Sequence, residues 1–292
     1  MMYTVALPTW DNKNILWLPM EGLCRQRTTR DWELIVMECR SPNEAGKEFF
    51  EGYWERLQLA GCKRLLYIYT AKRVPLGQKW KEMAKRAEGK YFLLQASDDY
   101  PHPGRIQAVT MDGDWYDTRY FHTWSLISKR MVLFDRLSLK GWKTGNDMAT
   151  LTEKVRNLPD NNMNKGVDFY LFGKCCTKRT MDEEIYRGIN TNGANVISLT
   201  RERHYKKPMP PFRRPYRDLD EIGLPDEIYK RLVTFEQNGS TKVRAILVKD
   251  FMQYKPGDTR DFNPITFGTL QKEGVVKLED RKEYEHENRN NN

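Results

Sequence analysis

The sequence predicts an α/β fold built on a mostly parallel sheet, and three observations carry that reading. Short apolar runs rich in Val, Ile, Leu and aromatic residues recur at 4–7, 32–37, 64–70 and 91–94. Helical patterns separate them, and strands alternating with helices at this spacing build βαβ units. The fourth run, Tyr91-Phe92-Leu93-Leu94, is followed closely by Ser97-Asp98-Asp99. Two adjacent carboxylates at the mouth of a buried strand are costly unless something positive sits there. The C-terminal edge of a parallel sheet is also where α/β proteins bind ligands.

The elements follow in order. Residues 4–7 make a short strand ended by Pro8. Ile15, Leu16, Leu18 and Leu23 have helical spacing, with Asp11 or Asn12 as cap, and Pro19 should kink or shorten that helix. Residues 32–37 are a second buried strand, closed by Glu38. Phe50, Tyr53, Trp54 and Leu57 predict one helix over 49–59, and 64–70 a third strand. Trp80, Met83, Ala84 and Ala87 share one face of a helix over 77–88, and Gly89 stops it. After the carboxylates the pattern changes. Residues 110–119 read as polar and turn-rich, 121–127 as a strand, 166–174 as a short helix and 196–199 as a short strand. A Pro/Arg-rich connector, 206–240, includes a helix opening at Leu224-Pro225-Asp226-Glu227. A small β-rich module follows at 241–280, with a Pro256-Gly257-Asp258 turn, and 281–292 is a polar tail expected to be disordered.

Composition narrows the classes. The chain has 292 residues, 39% hydrophobic and 12% aromatic, which is enough for a core. No apolar run approaches the roughly 18–20 residues that span a bilayer. The start, MMYTVALPTW, has no basic leader and no cleavage site. Five cysteines without CxxC spacing read as thiols in a reducing compartment, hence a cytoplasmic protein. Lys and Arg outnumber Asp and Glu 49 to 40, a net charge of +9. A basic segment, Arg201-Glu202-Arg203-His204-Tyr205-Lys206-Lys207 and then Arg213, Arg214 and Arg217, suits a solvated arm, a diphosphate clamp or a polyanionic acceptor.

Three segments together resemble family 2 glycosyltransferases of the GT-A fold. They are VALPTWDN, DWELIVMECRSP and GQKWKEMAKRAEGKYFLLQASDD. The match covers residues 3–205 and weakens after Arg105. It implies a Rossmann-like, mostly parallel sheet flanked by helices. The ending, with its PGD turn and LxxxGVV pattern, resembles a module on many phage-encoded proteins. The family resemblance also implies roles by position. Pro8, Thr9 and Trp10 would lie against the base and ribose of a nucleotide sugar, with a UDP-sugar the first expectation. Glu38 stands where an acid accepts a hydrogen bond from the base. Lys79 approaches the nucleotide, and Ser97 belongs to the same site. Asp98 and Asp99 would hold Mn²⁺ or Mg²⁺ against the diphosphate, with His204 as a further metal ligand. Gly166-Val167-Asp168 matches the family's later acid, which makes Asp168 the candidate general base. The chain departs from the family pattern at Ala96, Cys39, Arg40, Trp80, Lys81 and Val167.

The resemblance implies sugar transfer by direct displacement with inversion. Leaving-group charge would be neutralised by the metal, and the acceptor proton would be taken by Asp168. Asp168 is also a candidate helix cap, and Asp147 a second candidate base. His122 is a rival ligand. Trp115, Trp124 and Trp142 are candidate stacking platforms. A hydroxylated base in phage DNA is one acceptor that would explain the basic segment; a polysaccharide or protein acceptor is the alternative. A nucleotidyltransferase would need a Gly-rich basic loop after the first strand, which Pro8-Thr9-Trp10-Asp11-Asn12 does not supply. A non-catalytic nucleic-acid-binding or virion protein with a decayed fold is favoured by Ala96 and Val167.

Overall fold

A computed structural model describes residues 2–10, 12–41, 43–110, 112–118, 120–125, 130–135, 148–160, 166–181, 189–192, 213–215, 225–234, 243–247, 259–262 and 276–278. The chain divides into two compact units, 1–235 and 236–292. The first begins with β1 (Tyr3–Thr9), α1 (Trp17–Leu23), β2 (Trp32–Cys39), α2 (Lys47–Glu51), α3 (Trp54–Leu59), β3 (Cys62–Thr70), α4 (Leu76–Arg86) and β4 (Tyr91–Leu94). It continues with β5 (Asp99–Tyr100), α5 (Arg105–Ala108), β6 (Trp115–Thr118), β7 (Tyr120–Ser125), β8 (Arg130–Asp135), β9 (Ala149–Leu151) and α6 (Thr152–Arg156). It ends with α7 (Val167–Gly173), β10 (Lys178–Met181), β11 (Ile189–Asn192), β12 (Arg213–Pro215) and α8 (Asp226–Thr234). The second unit carries β13 (Val243–Leu247), β14 (Thr259–Phe262) and β15 (Val276–Leu278), an antiparallel sheet in the order β14-β13-β15.

Seven strands form the main sheet, in the order β3-β2-β1-β4-β9-β6-β10. β3, β2, β1 and β4 are parallel, and β9 runs against both of its neighbours, so β6 and β10 point the same way as β4. Every residue of β1 and β2 is buried, as expected of strands covered on both faces. Alternate side chains feed two cores. Tyr3, Val5, Leu7, Leu34 and Val36 pack with Leu16, Met20 and Leu23 of the α1 region and with Phe50 and Leu57. Ala6, Ile35 and Met37 pack on the other face with Trp80, Met83 and Ala84 of α4, Val155 of α6, and Val167 and Leu171 of α7. A second sheet has the order β12-β8-β7-β11-β5, and the chain first passes into it where β4 ends at Leu94 and β5 begins at Asp99.

Local chemistry accounts for most boundaries. Pro19 falls in the first turn of α1, where its missing N–H leaves no hydrogen bond broken. The single helix expected over 49–59 is two, because the chain breaks at Gly52 and Tyr53 between α2 and α3. The segment expected to be turn-rich contains β6. Trp115 and Tyr116 are fully buried there, against Phe172 and Tyr91 at ring distances of 5.4 and 5.9 Å. The expected strand at 196–199 and the tail at 281–292 lie outside the described residues. All five cysteines are free thiols, and burial pushes Cys62 up to about 12. No described helix is long and apolar enough to cross a membrane. The helix of the connector, α8, belongs to the first unit. Glu227 pairs with Arg25 at 3.0 Å, and the Arg231 guanidinium lies 3.9 Å from the Trp17 ring centre.

Candidate functional site

The C-terminal ends of β1, β2 and β4 are neighbours in the sheet, and most of the sequence-predicted site lies there. β1 carries Pro8 and Thr9 to the edge, in register with Met37 and Glu38 of β2, and Trp10 follows. The Thr9 hydroxyl and the Trp10 indole N–H are buried, without a hydrogen-bond partner among the described residues. Arg73, in the turn between β3 and α4, lays its guanidinium 3.9 Å from the Trp10 ring centre. Such a stack is the arrangement of a cation on an aromatic face.

Lys79 and Glu38 are both buried under this edge. The Lys79 ammonium donates to the Thr9 carbonyl at 2.7 Å, so its first effect is on the β1 backbone. Burial lowers its pKa, opposed by the neighbouring Cys39. The Glu38 carboxylate accepts from the Ala45 and Gly46 amides at 2.8 and 2.9 Å and from the Tyr67 hydroxyl at 2.7 Å. In this state it anchors the turn before α2. Gly46 has φ +79°, a conformation that L side chains rarely adopt, and this lets its amide turn back to the carboxylate.

Ser97, Asp98 and Asp99 lie on the crossing from β4 to β5, and all three are buried. Asn12 donates to the Ser97 hydroxyl at 2.6 Å, tying the carboxylate loop to the segment after β1. Asp99 pairs with Asn190 of β11, so the second sheet fixes its backbone. α1 secures the far side. A Cβ on Gly22 would meet Pro101 Cδ at 2.5 Å, so glycine is what lets helix and loop touch. The Gln26 amide donates to the His102 carbonyl at 2.9 Å, and the Arg27 N–H donates to the Pro103 carbonyl at 2.7 Å. Burial lowers the His102 pKa to about 4, with a further push from Arg27, so this imidazole is neutral near pH 7.

Asp168 is the second residue of α7. The cap is Gly166, at φ +69°, so Asp168 is not the N-cap that its position suggested. Its Oδ1 accepts from the Phe169 amide at 3.0 Å, and the residue is half-buried. Topology gives its height. The carboxylate of Asp114, just before β6, accepts from the Cys176 and Thr177 amides at 2.9 and 2.8 Å. The C-terminal end of α7 therefore lies toward the N-terminal edge of the sheet, with Asp168 at the helix's other end. Phe169 and Tyr170, next to Asp168, are exposed.

The donor set suits a hard cation. Asp98 and Asp99 offer oxygen ligands, and Mg²⁺ or Mn²⁺ is often held by one or two carboxylates plus substrate phosphates. No cluster of three or more His, Cys, Asp or Glu suited to a metal occurs among the described residues. The diphosphate would therefore complete the shell. His204, Asp147, Trp142 and Arg201–Arg203 lie outside the described residues. His122 and Trp124 are in β7, which pairs with β8 and β11. Trp115 is core, fully buried, with its indole N–H donated to Asp117 at 3.1 Å. Sequence reasoning missed Arg73 and Gly22 and gave Asn12 only a capping role, because each acts through a partner more than twenty residues away.

No family model and no curated protein matches the sequence. Solved structures do match by fold. The chain superposes on TarS of S. aureus with a TM-score of 0.51 at 14% identity, over 65% of this chain and 37% of that one. For TarS 1-349 in complex with UDP-GlcNAc the TM-score is 0.51 at 13% identity, over 66% of this chain and 59% of that one. For the UDP complex it is 0.50 at 13%, over 65% and 60%. The chain thus spans between 37% and 60% of the length of those chains. The likeness establishes a fold: the mostly parallel GT-A sheet that the sequence resemblance implied.

Proposed function

We propose that this protein is a metal-dependent, inverting glycosyltransferase that uses a nucleotide-sugar donor. The observation that carries the reading is the buried pair Asp98-Asp99 at the C-terminal edge of β4, beside the ends of β1 and β2, in a sheet of GT-A topology. Hard oxygen donors at the edge of a parallel sheet suit a diphosphate. TarS has been solved with UDP and with UDP-GlcNAc, which supports a UDP-sugar as the first donor to test.

Each residue then has a task. Pro8, Thr9 and Trp10, with Arg73 stacked on the indole, receive base and ribose; Thr9 Oγ1 and Trp10 Nε1 have hydrogen-bonding capacity to give a ligand. Lys79 holds the Thr9 backbone, and Glu38 shapes the neighbouring turn. Asn12 keeps Ser97, and with it the carboxylate loop, against β1. A divalent cation on Asp98 and Asp99, with His204 as the proposed further ligand, would act as a Lewis acid on the departing nucleoside diphosphate, supplying several kcal/mol. Asp168 takes the proton of the acceptor hydroxyl, for about 10²–10⁴-fold in rate. The acceptor oxygen, freed of its proton, attacks from the face opposite the departing nucleoside diphosphate and so inverts the anomeric centre.

The net charge of +9 supports a polyanionic acceptor, and a hydroxylated base in DNA is the case to test first. Such a base would have to leave the stack or arrive single-stranded. The test is nucleoside diphosphate release from a panel of UDP-, GDP- and dTDP-sugars, with Mn²⁺ or with EDTA, offered hydroxymethylated DNA at low and moderate salt. Metal-dependent release from one donor is the expected result. Release from none contradicts the reading. Release that ignores DNA at every salt concentration contradicts the DNA acceptor alone.

A further inference from the structure

We infer that Arg105 is a positioning residue for the Asp98-Asp99 pair, acting through Gln95; the inference rests on the donor-site reading above. Arg105 opens α5 and is 2% exposed. Its guanidinium donates through Nη1 to the side-chain oxygen of Gln95 and through Nη2 to the main-chain carbonyl of Leu94, the last residue of β4. Gln95 turns its own amide the other way. Nε2 donates to the Asp99 carbonyl at 2.7 Å and to the Ala96 carbonyl at 2.9 Å. One guanidinium and one amide thus fasten both ends of the four-residue crossing, 95–98, that leads into the carboxylates.

The chemistry of this strut is unusual for a merely structural one. Both acceptors of the guanidinium are neutral oxygens. Burying a cation against neutral partners is expensive, and an apolar side chain could fill the same volume. What the cation adds here is a charge beside a loop that carries two buried carboxylates, together with a rigid fork that Lys cannot reproduce. The Arg105 N–H also donates to the His102 carbonyl at 3.0 Å. The strut and the α1 contacts to residues 101–103 therefore meet, and the loop is held from both sides. Displacing reacting groups by about 1 Å can cost on the order of 100-fold in rate, so a loop fixed this firmly has a functional reason.

The experiment uses the full chain as Arg105→Gln and Arg105→Lys, with Arg64→Gln as a control. Arg64 is part-exposed and holds a buried carboxylate at the opposite edge, donating to Glu33 at 2.8 Å. Two quantities are read: affinity for UDP with Mn²⁺ by calorimetry, and hydrogen exchange of the amides of residues 95–100. Arg105→Gln is expected to weaken UDP–Mn²⁺ binding about 10–100-fold, the usual cost of losing a group that orients metal ligands. It should also strip protection from 95–100, and Arg105→Lys should recover part of both. Arg64→Gln should lower the melting temperature and leave affinity unchanged. If Arg105→Gln binds UDP–Mn²⁺ as the unaltered protein does and keeps its protection, the inference is overturned. If the unaltered protein binds no nucleotide, the donor-site reading fails. Exchange then decides the strut by itself, unchanged protection overturning it and lost protection upholding it. Should Arg105→Gln fail to fold, Arg105→Lys carries the same two readouts.

Discussion

At the N-terminal edge of the seven-stranded sheet, Glu33 is fully buried and its carboxylate is saturated. It accepts from the Thr4 hydroxyl at 2.6 Å, Arg64 at 2.8 Å and the Glu88 and Gly89 amides at 2.6 and 3.1 Å. Gly89 sits so close that a Cβ would come within 2.5 Å of the Thr4 nitrogen and hydroxyl. At the C-terminal edge, polar atoms are left over. Thr9 Oγ1, Trp10 Nε1 and, at the end of β6, Thr118 Oγ1 are buried without a hydrogen-bond partner among the described residues. Buried polar groups are nearly always satisfied, and exceptions ask for a reason. Polar groups thus close on one another around Glu33, while those of Thr9, Trp10 and Thr118 keep the hydrogen-bonding capacity that the proposed donor site would use.

Substitutions at the two edges should therefore separate activity from stability. Asp98→Asn should lower turnover about 10³-fold while leaving the melting temperature within a few degrees, as read by UDP release and calorimetry. An equal loss of both would erase the contrast. Asp168→Asn should lower kcat by about 10²–10⁴-fold with donor affinity unchanged, which sets the base apart from the donor site. A matching fall in donor affinity would move Asp168 out of that role. At the other edge, Gly89→Ala should cost about 1–3 kcal/mol of stability through overpacking against Thr4. Denaturant unfolding measures this, and nucleotide affinity should stay unchanged.

The smallest expected effect concerns pH. Burial pushes the Glu21 carboxyl up, but hydrogen bonds from Arg56, at 2.7 and 2.8 Å, and from Arg25 outweigh it and hold the pKa at about 2. A depressed carboxylate contributes stability that is present above its unfolded pKa, near 4.5, and is lost as pH falls toward 2. With Arg56 about half exposed, screening trims this to on the order of 2 kcal/mol. Glu21→Gln should flatten the acid limb of the melting curve between those values; an unchanged limb would remove Glu21 from the account.

The sequence made the parallel half of the sheet and the place of the carboxylate pair at its edge legible. Tyr91-Phe92-Leu93-Leu94 followed closely by Ser97-Asp98-Asp99 is local information, readable from strand burial and turn chemistry. The alternation through β1, β2, β3, α4 and β4 is readable for the same reason, since each element buries a face its own residues define. β6 was hidden because two aromatics in a polar stretch do not make a period, and only pairing with β9 and β10 makes them a strand. β9 has three residues and no pattern of its own. Gly52 divides a helix that the apolar spacing joined. Arg73 on Trp10 and Arg105 on Gln95 were illegible for a different reason: their meaning lies in contacts between separate segments, and nothing in either segment states its partner.

The central claim is that the carboxylate edge binds a metal–diphosphate donor. The most direct measurement is the melting temperature of the protein and of Asp98→Asn with UDP, each with and without Mn²⁺. Ligand at about 100 times its dissociation constant adds about 2.7 kcal/mol to the folded state, roughly 5 °C or more for a unit of this size. The account predicts that rise for the unaltered protein only when UDP and Mn²⁺ are present together, and none for Asp98→Asn. Equal rises in both proteins, or a rise with UDP that ignores Mn²⁺, would contradict it.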